Sequence, residues 1–159
     1  IICSGEGGMI CGDFGDAAKW RDGGFDASYQ HDIPGLNYRM TNIQAAIVLA
    51  QLERIESLAS QRLRNAAHYA ERIGGRGKWM FVALLDNRQE AATELKRLGV
   101  ETRPVFTPIH KNRAFVIGNG DDEFPNAEAI WKRGLVLPTG PHVTGNQIDM
   151  ICEVVKKWQ

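Results

Sequence analysis

The chain has 159 residues, 43% hydrophobic and 24% charged, with nineteen basic residues against nineteen acidic ones. This is a globular balance with enough apolar mass for a core, and a length that suits one domain or one and a half small ones. A net charge near zero gives no electrostatic reason for a nucleic-acid or anionic-membrane partner, and apolar runs such as Met80 to Leu85 are far too short to cross a bilayer.

Nothing reads as a signal peptide. Cys3, Cys11 and Cys152 form an odd set with no short paired spacing. They are expected to be reduced, buried thiols of a cytoplasmic protein rather than a disulfide framework or a zinc site. The chain opens on Ile1 without an initiator Met, and its first residues already read as the inside of a strand. A piece of a longer protein is expected.

In chain order, Ile1 to Ser4 is short, apolar and β-branched, Gly5-Glu6-Gly7-Gly8 breaks it, and Met9 to Cys11 resumes. A strand, a tight turn and a second short strand are expected. Gly12 to Gly35 reads as a loop-rich surface segment with a helical turn at Asp16 to Arg21. Thr41 with Gln44 has a capping-box pattern, and Ile43, Ala46, Ile47, Ala50, Ile55 and Leu58 follow helical spacing. With no Pro or Gly before Gly74, one helix from Thr41 to Ile73 is expected, roughly 50 Å long. A rod of that length suits a link between domains or a subunit interface.

Trp79 to Leu85 reads as a strand buried on both faces. Asp86 or Asn87 can cap a helix carrying Ala91, Ala92, Leu95 and Leu98, with Gly99 placed for a left-handed C-cap. Val100 to Phe106 reads as a strand that Pro104 confines to an edge or an end. Asn126 to Arg133 is a short helix stopped by Gly134. Thr144 with Gln147 repeats the capping box before a stripe of Ile148, Ile151, Cys152 and Val155. Alternating strands and helices imply an α/β fold.

Four constellations could carry chemistry. Gly5-Glu6-Gly7-Gly8 allows backbone N–H groups near an anion, but it lacks the Gly-Lys-Ser/Thr ending of a nucleotide phosphate loop and also fits a plain hairpin turn. Asp13-Phe14-Gly15 spells the kinase magnesium motif without its supporting motifs, so a kinase-like phosphate binder is disfavoured. Asn37-Tyr38-Arg39 stands before a capped helix N-terminus, where dipole and free N–H groups favour negative charge. The same triplet also fits a capping segment with a surface Arg. Glu101 to His110 carries Arg103 and His110 on a strand end stiffened by two prolines; His110 alone fits an ordinary loop histidine equally well. His31, His68 and His142 have no partners at metal-ligand spacing.

Taken in order, Ile2-Cys3-Ser4-Gly5-Glu6-Gly7-Gly8-Met9, Gly35-Leu36-Asn37-Tyr38-Arg39-Met40-Thr41-Asn42-Ile43-Gln44-Ala45-Ala46-Ile47, Leu49 to Arg54, Trp79 to Val82, Val100 to His110 and Phe124-Pro125 to Pro138 resemble the DegT/DnrJ/EryC1/StrS sugar aminotransferases, in particular perosamine-synthase-like members. The resemblance covers nearly the whole chain. It implies a fold-type-I aminotransferase architecture: residues 1–40 from the end of a large cofactor domain, 41–73 as the connecting helix, and 74–159 as a small αβ domain.

The resemblance further implies pyridoxal 5′-phosphate as cofactor, glutamate as amino donor, a nucleotide-linked keto sugar as acceptor, and a homodimer. The family's Schiff-base lysine, a proton carrier in such chemistry, would immediately precede Ile1. Asn37 would bind cofactor phosphate across the dimer, while Tyr38, Arg39, Arg103 and His110 would face substrate. Two stretches depart from the family pattern. Only Gly74 to Lys78 stands where the family carries a further small-domain strand, and the Met9–Gly35 loop is short. Without the lysine the chain by itself is expected to be inactive. The competing reading is a non-catalytic remnant serving dimerisation or nucleotide-sugar binding. A Lys just upstream, after a long α/β pattern, would favour the enzyme; a start codon near Ile1 would favour the remnant.

Overall fold

Thr41 caps its helix reciprocally with Gln44: the Thr41 Oγ1 accepts from the Gln44 backbone N–H, and the Gln44 carboxamide oxygen accepts from the Thr41 N–H at 3.0 Å. The computed structural model describes residues 2–25, 30–112 and 124–159. These divide by contact into two compact units, Ile1–Ile55 and Glu56–Gln159. No described helix is long and apolar enough to cross a membrane.

The first unit holds α1 (Ala17–Arg21) and α2 (Asn42–Leu52). The expected turn of helix at Asp16 to Arg21 is present as α1. Ile1 lies outside the described residues, and neither Ile2 to Ser4 nor Met9 to Cys11 forms a strand. A strand needs a backbone partner; here the partners of Cys3 are side-chain atoms of Gln51 instead. Gly24 is the only buried residue among those described in this unit. No residue of α2 is buried, so Ile43, Ile47, Leu49 and Leu52 stand exposed.

The continuous helix from Thr41 to Ile73 is not formed. Helical pairing lapses at Glu53–Arg54, where Arg54 N–H reaches back three residues to Gln51 O at 3.1 Å, and α3 begins at Ile55 (Ile55–Ile73). A tightened i to i−3 turn of this kind ends many helices. Apolar spacing does not register it.

The second unit carries β1 (Phe81–Leu84), α4 (Arg88–Arg97), β2 (Arg103–Pro104), α5 (Pro125–Arg133), β3 (Gly134–Leu137) and α6 (Gly145–Val155). A single 3-10 turn runs Ile109–Lys111 and another closes the chain at Lys156–Trp158. The sheet has the order β1-β3-β2 and is antiparallel throughout, with Phe81 opposite Leu137 and Arg103 opposite Val136. Tyr69, Phe81, Leu95, Leu135, Ile148 and Ile151 are fully or almost fully buried, joining α3, α4 and α6 to the sheet in one core. Each such side chain contributes roughly 1.5–3 kcal/mol on burial. The Tyr69 ring stacks on Phe81 at 5.0 Å, and its hydroxyl donates to Pro138 O at 3.1 Å.

Asn87 caps α4 through Glu90 N–H, and Gly99 follows the helix with φ +79°, the left-handed conformation the C-cap requires. The strand expected to be buried on both faces alternates instead: Phe81 and Ala83 are buried, Leu84 is 40% exposed and Trp79 60%. An edge strand of an antiparallel sheet with one wet face accounts for this. The strand expected from Val100 to Phe106 contracts to Arg103–Pro104 at the opposite edge, the place a residue without N–H tolerates. Cys3 and Cys11 are exposed rather than buried; Cys152 is buried, and burial pushes its thiol up to about 11.

Candidate active site

Backbone hydrogen bonds fix the Asn37-Tyr38-Arg39 loop to the end of α1. Leu36 N–H donates to Trp20 O at 2.9 Å, Tyr38 N–H to Arg21 O at 2.9 Å, and Gly23 N–H to Leu36 O at 3.1 Å. The two stretches approach so closely that a Cβ on Gly24 would lie 1.8 Å from Ile33 O, and one on Gly35 would lie 2.1 Å from Gly24 N. Only glycine fits either position. His31 Nδ1 lies 2.8 Å from Gly23 O, and its ring packs against that of Phe25 at a tilt, so this histidine has a structural place.

The backbone is pinned while the side chains point outward: Asn37 and Arg39 are exposed and Tyr38 is 73% exposed. Arg39 Nε donates to Asn37 Oδ1 at 3.4 Å. This orients the carboxamide so that its N–H₂ group faces away from the guanidinium. Arg21 holds Asp22 bidentately, through bonds of 2.9 and 2.8 Å. That hydrogen bonding, with a smaller attraction from Arg39, keeps the Asp22 carboxyl below the usual carboxylate range. Arg21 is thus paired with Asp22, while Arg39, two residues ahead of the α2 N-cap, keeps an exposed guanidinium. Asn37, Tyr38 and Arg39 thus stand exposed together, a carboxamide, a phenol and a guanidinium each able to donate to an anion.

Arg103 and His110 belong to the second unit. Arg103 is exposed on β2, pairs with Glu101 at 3.1 Å, and lines an open hollow of about 720 Å³ with Arg62, Val100, Val136, Pro138 and His142. His110 is not part of that lining. It sits in the 3-10 turn with 10% of its side chain exposed, its Nε2 3.1 Å from Glu128 Oε1 and its ring 4.8 Å from Phe124. Arg103 and His110 thus stand in different surroundings, although seven positions of sequence separate them.

Residues outside the expected set also matter. Glu128, on α5, is buried and is approached by His110, by Lys111 at 3.6 Å and by Lys132 at 3.5 Å. The hydrogen bond with His110, and then these lysines, hold its carboxyl below the ordinary glutamate value. Gln44 and Gln51 bind the backbone of the Gly-rich segment, at Glu6 and Cys3. The sequence signal for the pair is two glutamines seven residues apart on an otherwise apolar helix. Among the described residues no group of three or more acidic, His or Cys side chains could hold a metal.

The family model for DegT/DnrJ/EryC1/StrS aminotransferases matches residues 1–156. The chain belongs to the DegT/DnrJ/EryC1/StrS aminotransferase family. Aminotransferases of this family depend on pyridoxal 5′-phosphate. The chain is 37% identical to the GDP-perosamine synthase of Caulobacter vibrioides, an alignment that covers 95% of this chain and 47% of that protein. It is 32% identical to the enzyme of the same name from Escherichia coli O157:H7, over 99% of this chain and 48% of the relative. The chain spans about half the length of the curated relatives it matches. The first alignment runs over 177 residues, more than this chain possesses, so it leaves gaps where the relative has residues and this chain has none. Among solved structures, S. venezuelae DesV in complex with a ketimine intermediate superposes with a TM-score of 0.78 at 24% identity, covering 90% of this chain and 43% of that one. The sugar aminotransferase CalS13 of Micromonospora echinospora gives 0.72 at 20%. The shared fold is that of fold-type-I sugar aminotransferases.

Proposed function

We propose that this chain is the carboxy-terminal part of an aminotransferase that moves an amino group from glutamate to the keto group of a nucleotide-linked sugar. The observation that carries the reading is the exposed, backbone-braced Asn37-Tyr38-Arg39 loop in a chain 37% identical to a GDP-perosamine synthase. The cofactor supplies an electron sink for the amino carbon. Asn37 then donates to cofactor phosphate from its N–H₂ group, and Tyr38 and Arg39 bind the anionic part of the substrate. As the family resemblance implies, the active site these exposed side chains complete is taken to be that of a second subunit of a homodimer.

Arg103, at the edge of the open hollow, supplies a guanidinium fork to phosphoryl or sugar hydroxyl oxygens. His110, anchored through Nε2 on Glu128, offers Nδ1 to substrate; that nitrogen has no hydrogen-bond partner among the described residues. The Schiff-base lysine lies immediately ahead of Ile1 in the parent protein. The exposed apolar residues of α2 are covered in the assembled enzyme.

The experiment is to express the whole coding region, supply pyridoxal phosphate and glutamate, and offer GDP-linked and dTDP-linked keto sugars. An amino sugar nucleotide detected by mass spectrometry supports the reading. Retained cofactor with neither sugar nucleotide aminated removes this substrate class.

A further inference from the structure

Gln44 and Gln51 are seven residues apart on α2, two helical turns, which puts both amides on one face roughly 10 Å apart. Cys3 N–H donates to Gln51 Oε1 at 2.9 Å, and Gln51 Nε2 donates to Cys3 O at 2.7 Å. Gln44 Nε2 donates to Glu6 O at 3.1 Å. From Cys3 to Glu6 an extended backbone spans at most roughly 10 Å. The two spacings match, so the segment runs alongside α2 in the opposite direction.

Gln51 presents an acceptor and a donor side by side, as the peptide group of a neighbouring strand would, and it satisfies both backbone groups of Cys3. The glutamines are themselves fixed. Gln44 Oε1 accepts from Thr41 N and from Thr41 Oγ1, each at 3.0 Å, and Gln51 Nε2 also donates to Ile47 O at 2.8 Å. Beyond the clasp, a Cβ on Gly7 would lie 3.3 Å from Met40 Cε, so the chain continues close against the start of α2.

We propose that Gln51, with Gln44 beside it, is a positioning residue of the catalytic apparatus. By clasping residues 3–6 to α2 it holds the reactive lysine, three residues before Cys3, in fixed register with α2. The inference rests on the proposed function, which places that lysine just ahead of Ile1. A proton carrier must stay within hydrogen-bond reach of the reacting carbon's substituents through the cycle, and a misplacement of about 1 Å costs on the order of 100-fold in rate. A clasp that grips both backbone groups of one residue controls displacement on that scale.

The test uses full-length protein carrying Gln51→Glu. The carboxylate is isosteric but has no proton to donate to the Cys3 and Ile47 carbonyls, and its repulsion from them pushes the segment away and opens the Cys3 N–H bond as well. The expected result is a kcat reduced roughly 10- to 100-fold, KM for the sugar nucleotide unchanged, cofactor content unchanged, and faster hydrogen exchange at the Cys3 amide. A merely structural defect would lower cofactor content or raise KM along with it. Wild-type kcat and wild-type Cys3 exchange in the variant overturn the proposal alone. A wild-type protein that retains no cofactor overturns the functional reading and this proposal with it. Should Gln51→Glu fail to accumulate, Gln51→Met keeps the length, removes both polar atoms, and is judged on the same two readouts.

Discussion

His110 Nε2 stands 3.1 Å from Glu128 Oε1, with only 10% and 7% of the two side chains exposed. A carboxylate this sheltered is stabilised by its partners, and its proton affinity falls accordingly. The sign follows from linkage. A glutamate whose folded value is depressed contributes stability above its unfolded value, near 4.3, and loses that contribution as pH falls through the folded value. Glu128→Gln lacks the titrating group. Thermal midpoints of the two proteins, measured from pH 7 down to pH 3, are expected to differ most at neutral pH and to converge in the acid limb. Parallel curves across the range would show that Glu128 is not ion-paired in solution.

Asn37→Ala removes the proposed phosphate donor while leaving the backbone brace of Leu36 and Tyr38 intact. A hydrogen bond to a charged group is worth about 1.5–3 kcal/mol. The dissociation constant for pyridoxal phosphate in the full-length protein should therefore rise at least roughly tenfold, read by equilibrium dialysis. Unchanged affinity would remove Asn37 from the cofactor site.

Arg103→Ala addresses substrate rather than cofactor. Arg103 is exposed and its only ionic partner among the described residues is the equally exposed Glu101, so its loss costs the fold little. KM for the nucleotide sugar should rise roughly fivefold, the equivalent of about 1 kcal/mol for one exposed ionic contact. The bound-cofactor spectrum should not change. Kinetics equal to wild type would place Arg103 outside the site.

Ile151 on α6 is 2% exposed within the core. Truncation to Ala should lower the unfolding free energy of the 159-residue chain by about 2–5 kcal/mol, counting lost transfer energy and the cavity left behind. Guanidinium unfolding measures it. A change below about 1 kcal/mol would mean the core described for residues 56–159 does not form in this chain.

Local chemistry was the legible part of the fold. Both capping boxes, at Thr41 and Thr144, the Asn87 cap, and the left-handed Gly99 depend on residues three or four apart, and the sequence displays them directly. The helix break at Glu53–Arg54 was hidden because neither residue is a breaker and the apolar period runs across it. Strand extents are not legible where pairing, not propensity, decides: β2 keeps two residues, and no apolar alternation marks the central strand β3. For the site, Asn37, Tyr38 and Arg39 were legible as a motif before a helix. The company of His110 was not, because Glu128 lies eighteen residues away on another element. The Gln51 clasp was equally hidden, since its partner Cys3 is forty-eight residues distant.

In the proposed function, the full-length protein is a pyridoxal-phosphate aminotransferase to which this chain contributes Asn37 and the clasped segment at residues 3–6. The most direct measurement is the glutamate half-reaction of the full-length protein, followed by visible absorbance after gel filtration with one equivalent of cofactor. The expected result is a stoichiometric band that survives filtration, is discharged by glutamate with release of one equivalent of 2-oxoglutarate, and is restored by a keto sugar nucleotide. For the 159-residue chain alone no such band is expected, because Lys19, the first lysine present, lies on α1 and not ahead of the clasped segment. A full-length protein whose band glutamate leaves unchanged would contradict the assignment of function. A stable, glutamate-responsive band in the isolated chain would contradict the placing of the reactive lysine.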